Sequence, residues 1–341
     1  MSSPELVGQL KSAIDANNLE RVKALTMGNP ELHRAPLGYA NDGPLTWVAE
    51  CRVPYEPPGP ERLAMAQWMI ANGSDVHQGG DGPLMRAALN GDRVAMMELL
   101  VAHGANVNAA WHGNYPIIFG PCETVDPVPL KWLLEHGADP NRGDAGTALD
   151  YLIGSYVRNP ESLSACINIL LDVGASTKYD LPGVLAVLRG RSDQLREQLE
   201  FDPELVTQRF HALDFGTTGA RMLTLAGATL LHVASEYGNL QAVELLIERG
   251  GDVNAPATVN DSGVGGQTAI FHAATQFGDA GPPVVELLLQ RGADLSISAK
   301  LPGHYEQPGE VVECTPLGYA LLFPGVHGET VKLLRAHGAP E

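Results

Sequence analysis

The stretch Ala228-Thr-Leu-Leu-His-Val-Ala-Ser-Glu-Tyr-Gly-Asn-Leu-Gln-Ala-Val-Glu-Leu-Leu-Ile-Glu-Arg-Gly-Gly-Asp-Val-Asn254 decides the fold. Thr229 suits an N-cap, because its hydroxyl can accept a bond from an orphan amide at the start of a helix holding Leu231, His232 and Ala234. Gly238 ends that helix by taking a left-handed conformation cheaply. After a tight turn, Val243, Leu245, Leu246 and Ile247 give a second helix its apolar face, and Gly250-Gly251 stop it. The unit is a pair of short antiparallel helices. Such a pair cannot bury its own apolar face and needs copies of itself stacked on either side.

The copies are present. Gly266-Gln-Thr-Ala-Ile-Phe-His-Ala-Ala274 leads to Val284–Leu289 and Gly292-Ala293-Asp294, and Thr315-Pro-Leu-Gly-Tyr-Ala320 leads to Val331–Leu334 and His337-Gly338-Ala339. The pattern resembles the ankyrin repeat, whose helix-opening Thr-Pro-Leu-His and closing Gly-Ala-Asp-Val-Asn are its most recognisable parts.

Toward the N-terminus the same signature recurs. Leu6–Ile14 and Leu19–Leu25 read as an atypical first repeat, with polar Gln9, Lys11, Glu20 and Lys23 capping the open end. A second copy opens at Pro44-Leu45-Thr46-Trp47, carries a Pro-rich insertion over Pro54–Pro60, and continues through Leu63–Ile70. The third runs from Pro83 to Asn108 and the fourth from Tyr115 to Asp139. Gly104 and Gly137 lie 33 residues apart, the period of an ankyrin array. A fifth opens at Thr147-Ala148-Leu149-Asp150-Tyr151. The sixth, Gly183–Val206, lacks the Thr-Pro start, and its Asp202-Pro203-Glu204-Leu205 echoes Asn29-Pro30-Glu31-Leu32 as if the array restarted near Leu181. The expected fold is an all-α, ankyrin-type helical solenoid of about nine repeats. Residues 1–181 hold about five of them and residues 182–341 about four, in one continuous body with a possible bend at the join.

Composition narrows the function. With 40 acidic and 22 basic residues the formal charge is −18, which repels phosphate backbones, so neither nucleic acid nor an anionic membrane surface is an expected partner. No run approaches the ~20 apolar residues of a membrane span, and no leader is visible at Met1–Leu10, so a soluble cytoplasmic protein is expected. The four cysteines, Cys51, Cys122, Cys166 and Cys314, are too scattered for a zinc knuckle or a disulfide framework.

Departures from the repeat consensus carry the functional signal. Gly250 to Gly292 spans 42 residues and Gly292 to Gly338 spans 46, well above the bare period. Most of the excess lies in the connection between one repeat's second helix and the next repeat's first. Three such connections are long, Gln208–Gly227, Ala255–Gly265 and Ser298–Cys314, and the resemblance makes them elongated finger loops projecting side by side in the C-terminal third. They carry His211, Asp214, Arg221, Asp261, His304, Tyr305 and Glu306. The resemblance also implies that first helices line a concave groove, with the residue before the Ala-Ala pair facing it. That position is Trp47, Arg86, Phe119, Tyr151, Val233, His272 and Tyr319. Glu50, Glu123, Asp150 and Glu236 are close by, and Trp111, His112 and Tyr115 precede the fourth repeat. Pro-Leu-Gly-Tyr-Ala, at Pro36–Ala40 and Pro316–Ala320, reads as repeat ancestry.

His103, His136 and His337 sit in a helix-ending His-Gly-Ala slot and His232 in the consensus slot, so these four read as structural. His272 differs, because Phe271 takes the consensus position. No phosphate-cradling loop, Gly-x-Ser-x-Gly elbow or His-Glu-x-x-His pair is present, and nothing in the spacings calls for a metal or cofactor. Two functions follow. One is a binding module, the usual role of ankyrin-repeat proteins, holding a protein partner or a polar small molecule in the groove through Trp47, Arg86, Trp111, Tyr115, Phe119, Asp150, Tyr151, Tyr305 and Tyr319. The other is a lyase, isomerase or hydrolase acting on a polar small molecule such as a carbohydrate, with His272 and His304 carrying protons beside Asp214 or Glu123.

Overall fold

The computed structural model describes residues 3–53, 55–144, 146–217, 221–323 and 328–341. Pro54, which opens the Pro-rich insertion, and residues 218–220 of the Gln208–Gly227 connection lie outside them. The chain divides into two compact units, one formed by Met1–Tyr151 with Ile169–Ser176, the other by Leu152–Asn168 with Thr177–Glu341.

Helices follow one another in pairs. In the first unit they are α1 (Pro4–Asp15) with α2 (Leu19–Gly28), α3 (Pro44–Glu50) with α4 (Pro60–Ala71), α5 (Gln78–Ala87) with α6 (Val94–Ala102), and α7 (Phe119–Thr124) with α8 (Pro127–Glu135). Next come α9 (Ala148–Ile153) and α10 (Pro160–Asp172), each divided between the units. The second unit continues with α11 (Val184–Leu188) and α12 (Ser192–Phe201), α13 (Leu230–Glu236) and α14 (Leu240–Glu248), α15 (Ala269–Ala274) and α16 (Pro282–Gln290), and α17 (Pro316–Leu321) and α18 (Gly328–Ala336). First helices pack on first helices (α3 on α5, α11 on α13, α13 on α15, α15 on α17) and second on second (α2 on α4, α4 on α6, α12 on α14, α14 on α16). Each unit is thus built from two helical layers.

The core follows the apolar pattern. All seven residues of α13 and all six of α15 are buried, whereas α14 buries only Ala242, Val243, Leu245 and Leu246, as a one-sided outer helix should. The opening of α5 departs from a regular helix. Gly79, Gly80 and Asp81 have φ of 71°, 76° and 59°, and a Cβ at Gly80 would stand 2.4 Å from the Ala110 carbonyl, so the chain turns sharply there before Pro83 enters the first regular turn.

The consensus residues bind one repeat to the next. Asn254 donates from Nδ2 to the Gly292 carbonyl (3.0 Å) and accepts the Asp294 amide (2.8 Å). Asn108 does the same toward Gly137 and Asp139, and Asn141 toward Gly174 and Ser176. His232 is neutral, its pKa pushed down to about 3 by burial and by nearby His272. Its Nε2–H donates to the Gln267 carbonyl (3.0 Å), and Nδ1 accepts from the Thr229 hydroxyl (2.9 Å) and amide (3.3 Å). His103, His136 and His337 donate from Nδ1 to the carbonyl four residues earlier, closing their helices.

Two connections form antiparallel hairpins, β1 (Ala110–Trp111) with β2 (Tyr115–Pro116) and β3 (Ala299–Pro302) with β4 (Val311–Cys314). The three long connections of the second unit are hydrogen-bonded to one another: Thr258 donates to Gly227, Gly265 pairs with Lys300, and Arg221 pairs with His304.

Candidate functional site

In the first unit the β1–β2 hairpin sets Trp111 opposite Tyr115, and both rings meet residues brought by the first helices. Tyr115 stands edge-on to Phe119 and to Tyr151, each at 5.7 Å between centroids, and Phe119 stacks on Tyr151 at 4.5 Å and 15°. Arg86, from α5, lays its guanidinium over Tyr39 (4.4 Å) and near Trp111 (5.4 Å). A cavity of about 350 Å³ opens here, lined by Tyr39, Arg52, Met85, Arg86, Leu89, Trp111, Tyr115 and Glu123.

The charged side chains on this cavity are Arg52, Arg86 and Glu123, and Arg86 among them is incompletely paired. The only carboxylate in salt-bridge range of Arg86 among the described residues is Glu50, at 3.9 Å, and the buried Nε and Nη2 have no hydrogen-bond partner. Glu123 accepts from the Tyr115 hydroxyl (2.8 Å) and lies 3.5 Å from that of Tyr151. Burial pushes both phenol pKa values up, so these hydroxyls remain donors. Asp150 accepts the Thr147 amide (3.3 Å) at the start of its own helix. Trp47 is buried elsewhere in this unit, its Nε1 donating to Asp15 (2.7 Å) with Lys11 over the ring.

Tyr39 has no place among the sequence-based candidates. Its Pro-Leu-Gly-Tyr-Ala context looked ancestral, but the two occurrences fold differently. In the second, Tyr319 lies in α17 and is fully buried; in the first, Gly38 and Ala40 take positive φ and Tyr39 stays 60% exposed. Ala35 before the first pentapeptide, where the second has the capping Thr315, was the available signal.

In the second unit the expected groove positions are covered. Val233, His272 and Tyr319 each have 0% exposure. The physical reason is that the long connections fold over the first helices: Pro302 accepts the Tyr319 hydroxyl (2.9 Å), and Arg221 sits on α13. Beneath them Glu236 receives Arg221 Nη2 on both carboxylate oxygens (2.7 and 2.6 Å), Arg158 Nε (3.0 Å) and His272 Nδ1 (2.8 Å). Burial alone would raise the Glu236 pKa, but Arg221, Arg158 and the His272 hydrogen bond outweigh it and hold it near 2. For His272 burial outweighs the Glu236 contact, so its pKa falls and the ring is neutral.

The residues expected to act as acids and bases do not form one constellation. Asp214 is exposed and held by Lys178 and Tyr179. Burial would raise its pKa, and these two contacts lower it on balance. His304 accepts the Glu306 amide (3.2 Å) and stacks near Phe323, while Tyr305, half exposed, bonds Glu306. Glu123 belongs to the other unit. Among the described residues no group of three or more His, Cys, Asp or Glu side chains is placed to hold a metal ion, and no helix is long and apolar enough to cross a membrane.

Stacked helix pairs, asparagine bridges between them and a side-chain-lined concavity define a helical-repeat protein. Residues 184–299 match the family model described as ankyrin repeats (3 copies), and residues 79–112 match the model of the single ankyrin repeat. These residues carry ankyrin repeats, and repeats of this kind generally mediate protein–protein interaction. No curated protein matches it.

Proposed function

We propose that this is a binding protein of about nine ankyrin repeats, which holds part of a protein partner in the concavity of its first unit. The observation that carries the reading is Arg86, stacked on Tyr39 beside Trp111 at the wall of a 350 Å³ cavity with two guanidinium nitrogens unpartnered. Arginine and aromatic side chains are the usual energetic anchors of interfaces, and a pre-stacked guanidinium loses little freedom when a partner arrives. Trp111 and Tyr115 line the cavity, Phe119 and Tyr151 pack against Tyr115, and Asp150 and Trp47 stand outside the lining. Tyr305 is the finger residue left open for a partner in the second unit, because Tyr319 lies under that unit's own connection. The acid–base reading gains nothing from the geometry, since His272 is fully buried against Glu236 and Asp214 is engaged elsewhere.

The test places a photo-reactive benzoylphenylalanine at Tyr39 in the full chain, identifies the crosslinked protein, and measures its affinity for wild type, Arg86→Ala and Trp111→Ala. A loss of about tenfold or more in both variants, with melting little changed, is expected for anchor residues. Crosslinks and affinities indifferent to Arg86 would overturn the assignment. A polar small molecule that raises the melting temperature only when Arg86 is present, with no protein crosslinked, would replace the protein partner by a small ligand.

A further inference from the structure

Two places in the chain share a local design. Asn29-Pro30-Glu31-Leu32 follows α2 and Asp202-Pro203-Glu204-Leu205 follows α12; in each a 3-10 turn begins at the proline and the leucine is buried, Leu32 at 0% and Leu205 at 3% exposure. The helix that precedes the motif ends in Gly28 in the first case and in Phe201 in the second. The position therefore works with no side chain, and the local fold does not call for a phenylalanine. Phe201 is nevertheless 93% exposed, the most exposed large apolar side chain among the described residues.

A single exposed apolar residue is ordinary, but Phe201 is not alone. With Leu181, Pro182, Leu185 and Leu205 it lines a hollow of about 510 Å³. The charged residues on that lining are Asp180, Glu197 and Asp202. Lys178, Arg191 and Arg249 form salt bridges with Asp214 (2.8 Å), Asp193 (2.8 Å) and Glu200 (3.0 Å), while Arg191 also interacts electrostatically with Glu197, and Arg196 stands next to Glu197 in α12. Among the described residues no lysine or arginine forms a salt bridge with the three rim carboxylates. A second copy of this chain is a poor occupant, because a two-fold contact would set the same carboxylates against each other in a protein of formal charge −18.

We propose that this hollow docks a basic segment of a protein partner, with an apolar side chain seated against Phe201 and lysine or arginine side chains meeting Asp180, Glu197 and Asp202. The site lies wholly in the second unit and stands independently of the Arg86 cavity. Apolar contact supplies the anchor, while the acidic rim selects charge and speeds encounter.

The experiment uses the full chain and fluorescein-labelled peptides of alternating Lys and Leu, Lys and Ser, and Glu and Leu, with anisotropy as readout. The Lys-Leu peptide is expected to bind, and Phe201→Ser, or Asp180→Lys with Glu197→Lys, to weaken it about tenfold or more. Phe201→Leu should retain most of the binding, and the Lys-Ser and Glu-Leu peptides should bind far less. Because Phe201 is almost wholly exposed, the melting temperature of Phe201→Ser should match wild type. The proposal falls if the Lys-Leu peptide does not bind, if Phe201→Ser binds it as wild type does, or if the Glu-Leu peptide binds equally well. A dimer that dissociates in Phe201→Ser would assign the hollow to a second copy and also overturn it.

Discussion

His272 donates from Nδ1 to Glu236 at 2.8 Å with both side chains fully buried, and the same carboxylate is gripped by Arg158 and Arg221. One acidic side chain thus gathers the segment before α10, a long connection, α13 and α15 at a single point. Substituting Glu236→Gln leaves two buried guanidinium groups without their counter-charge, and breaking a buried pair in this way costs about 3–5 kcal/mol. Urea unfolding should show a loss of that order, whereas Glu248→Gln, at the C-terminal end of α14, should shift the midpoint little. A Glu236→Gln protein as stable as wild type would show that the network is not needed to hold the second unit together.

Acid should act first through the histidines. His232, near 3, and His272 and His33, both lowered chiefly by burial, take up a proton less readily when folded than when unfolded. Their contribution to stability is fully present above about pH 6.5, the unfolded value, and declines as pH falls from there toward the folded values. For His232 the slope approaches about 1.4 kcal/mol per pH unit in that window, and His272 and His33 act in the same direction. Glu236 adds nothing until pH falls below about 4.5, because its folded pKa is held down. Urea midpoints measured between pH 7.5 and 5 should decline, and replacing His232 with a group that does not titrate should flatten that decline. A midpoint constant over this range would contradict the neutral, buried state assigned to these rings.

The asparagine bridges should be additive contributors. Asn254→Ala removes a donor to Gly292 and an acceptor for Asp294, two bonds at partly exposed sites, with an expected cost of about 1–2 kcal/mol. Asn254→Asp keeps the acceptor and should recover part of the loss in equilibrium unfolding. Equal losses in the two variants would mean that the Gly292 contact carries the whole effect.

Thiol reactivity should report folding. Cys51, Cys122 and Cys166 are buried, and Cys314 is half-buried with its pKa raised to about 11 by desolvation and by Glu313. Thiolate is the reactive form, so all four should resist iodoacetamide at neutral pH in the native protein and react together in urea. Rapid labelling of Cys314 alone would show that its segment opens without global unfolding.

What could be read from residue order is what is encoded locally. Thr229 at a cap, the His-Gly-Ala helix ends and the closing Asn254 act over distances of a few residues or one repeat, so helix pairs and their stacking partners follow from them. Arg86, Trp111, Tyr115, Phe119 and Tyr151 could be singled out for the same reason, each occupying a repeating position or the hairpin before it. Their convergence with Tyr39 could not, because it depends on a turn that gives one copy of a shared pentapeptide a conformation the other lacks.

Tertiary structure alone decided which first-helix residues of the second unit are covered. The same periodicity that leaves Arg86 beside a cavity places His272 and Tyr319 under the protein's own long connections. Glu236, 78 residues from Arg158 and 36 from His272, draws these side chains together. Repeat spacing fixes which face of a helix a residue occupies, a consequence of the 3.6-residue turn. Whether that face meets solvent or another part of the chain depends on where distant loops come to rest, which no local pattern encodes.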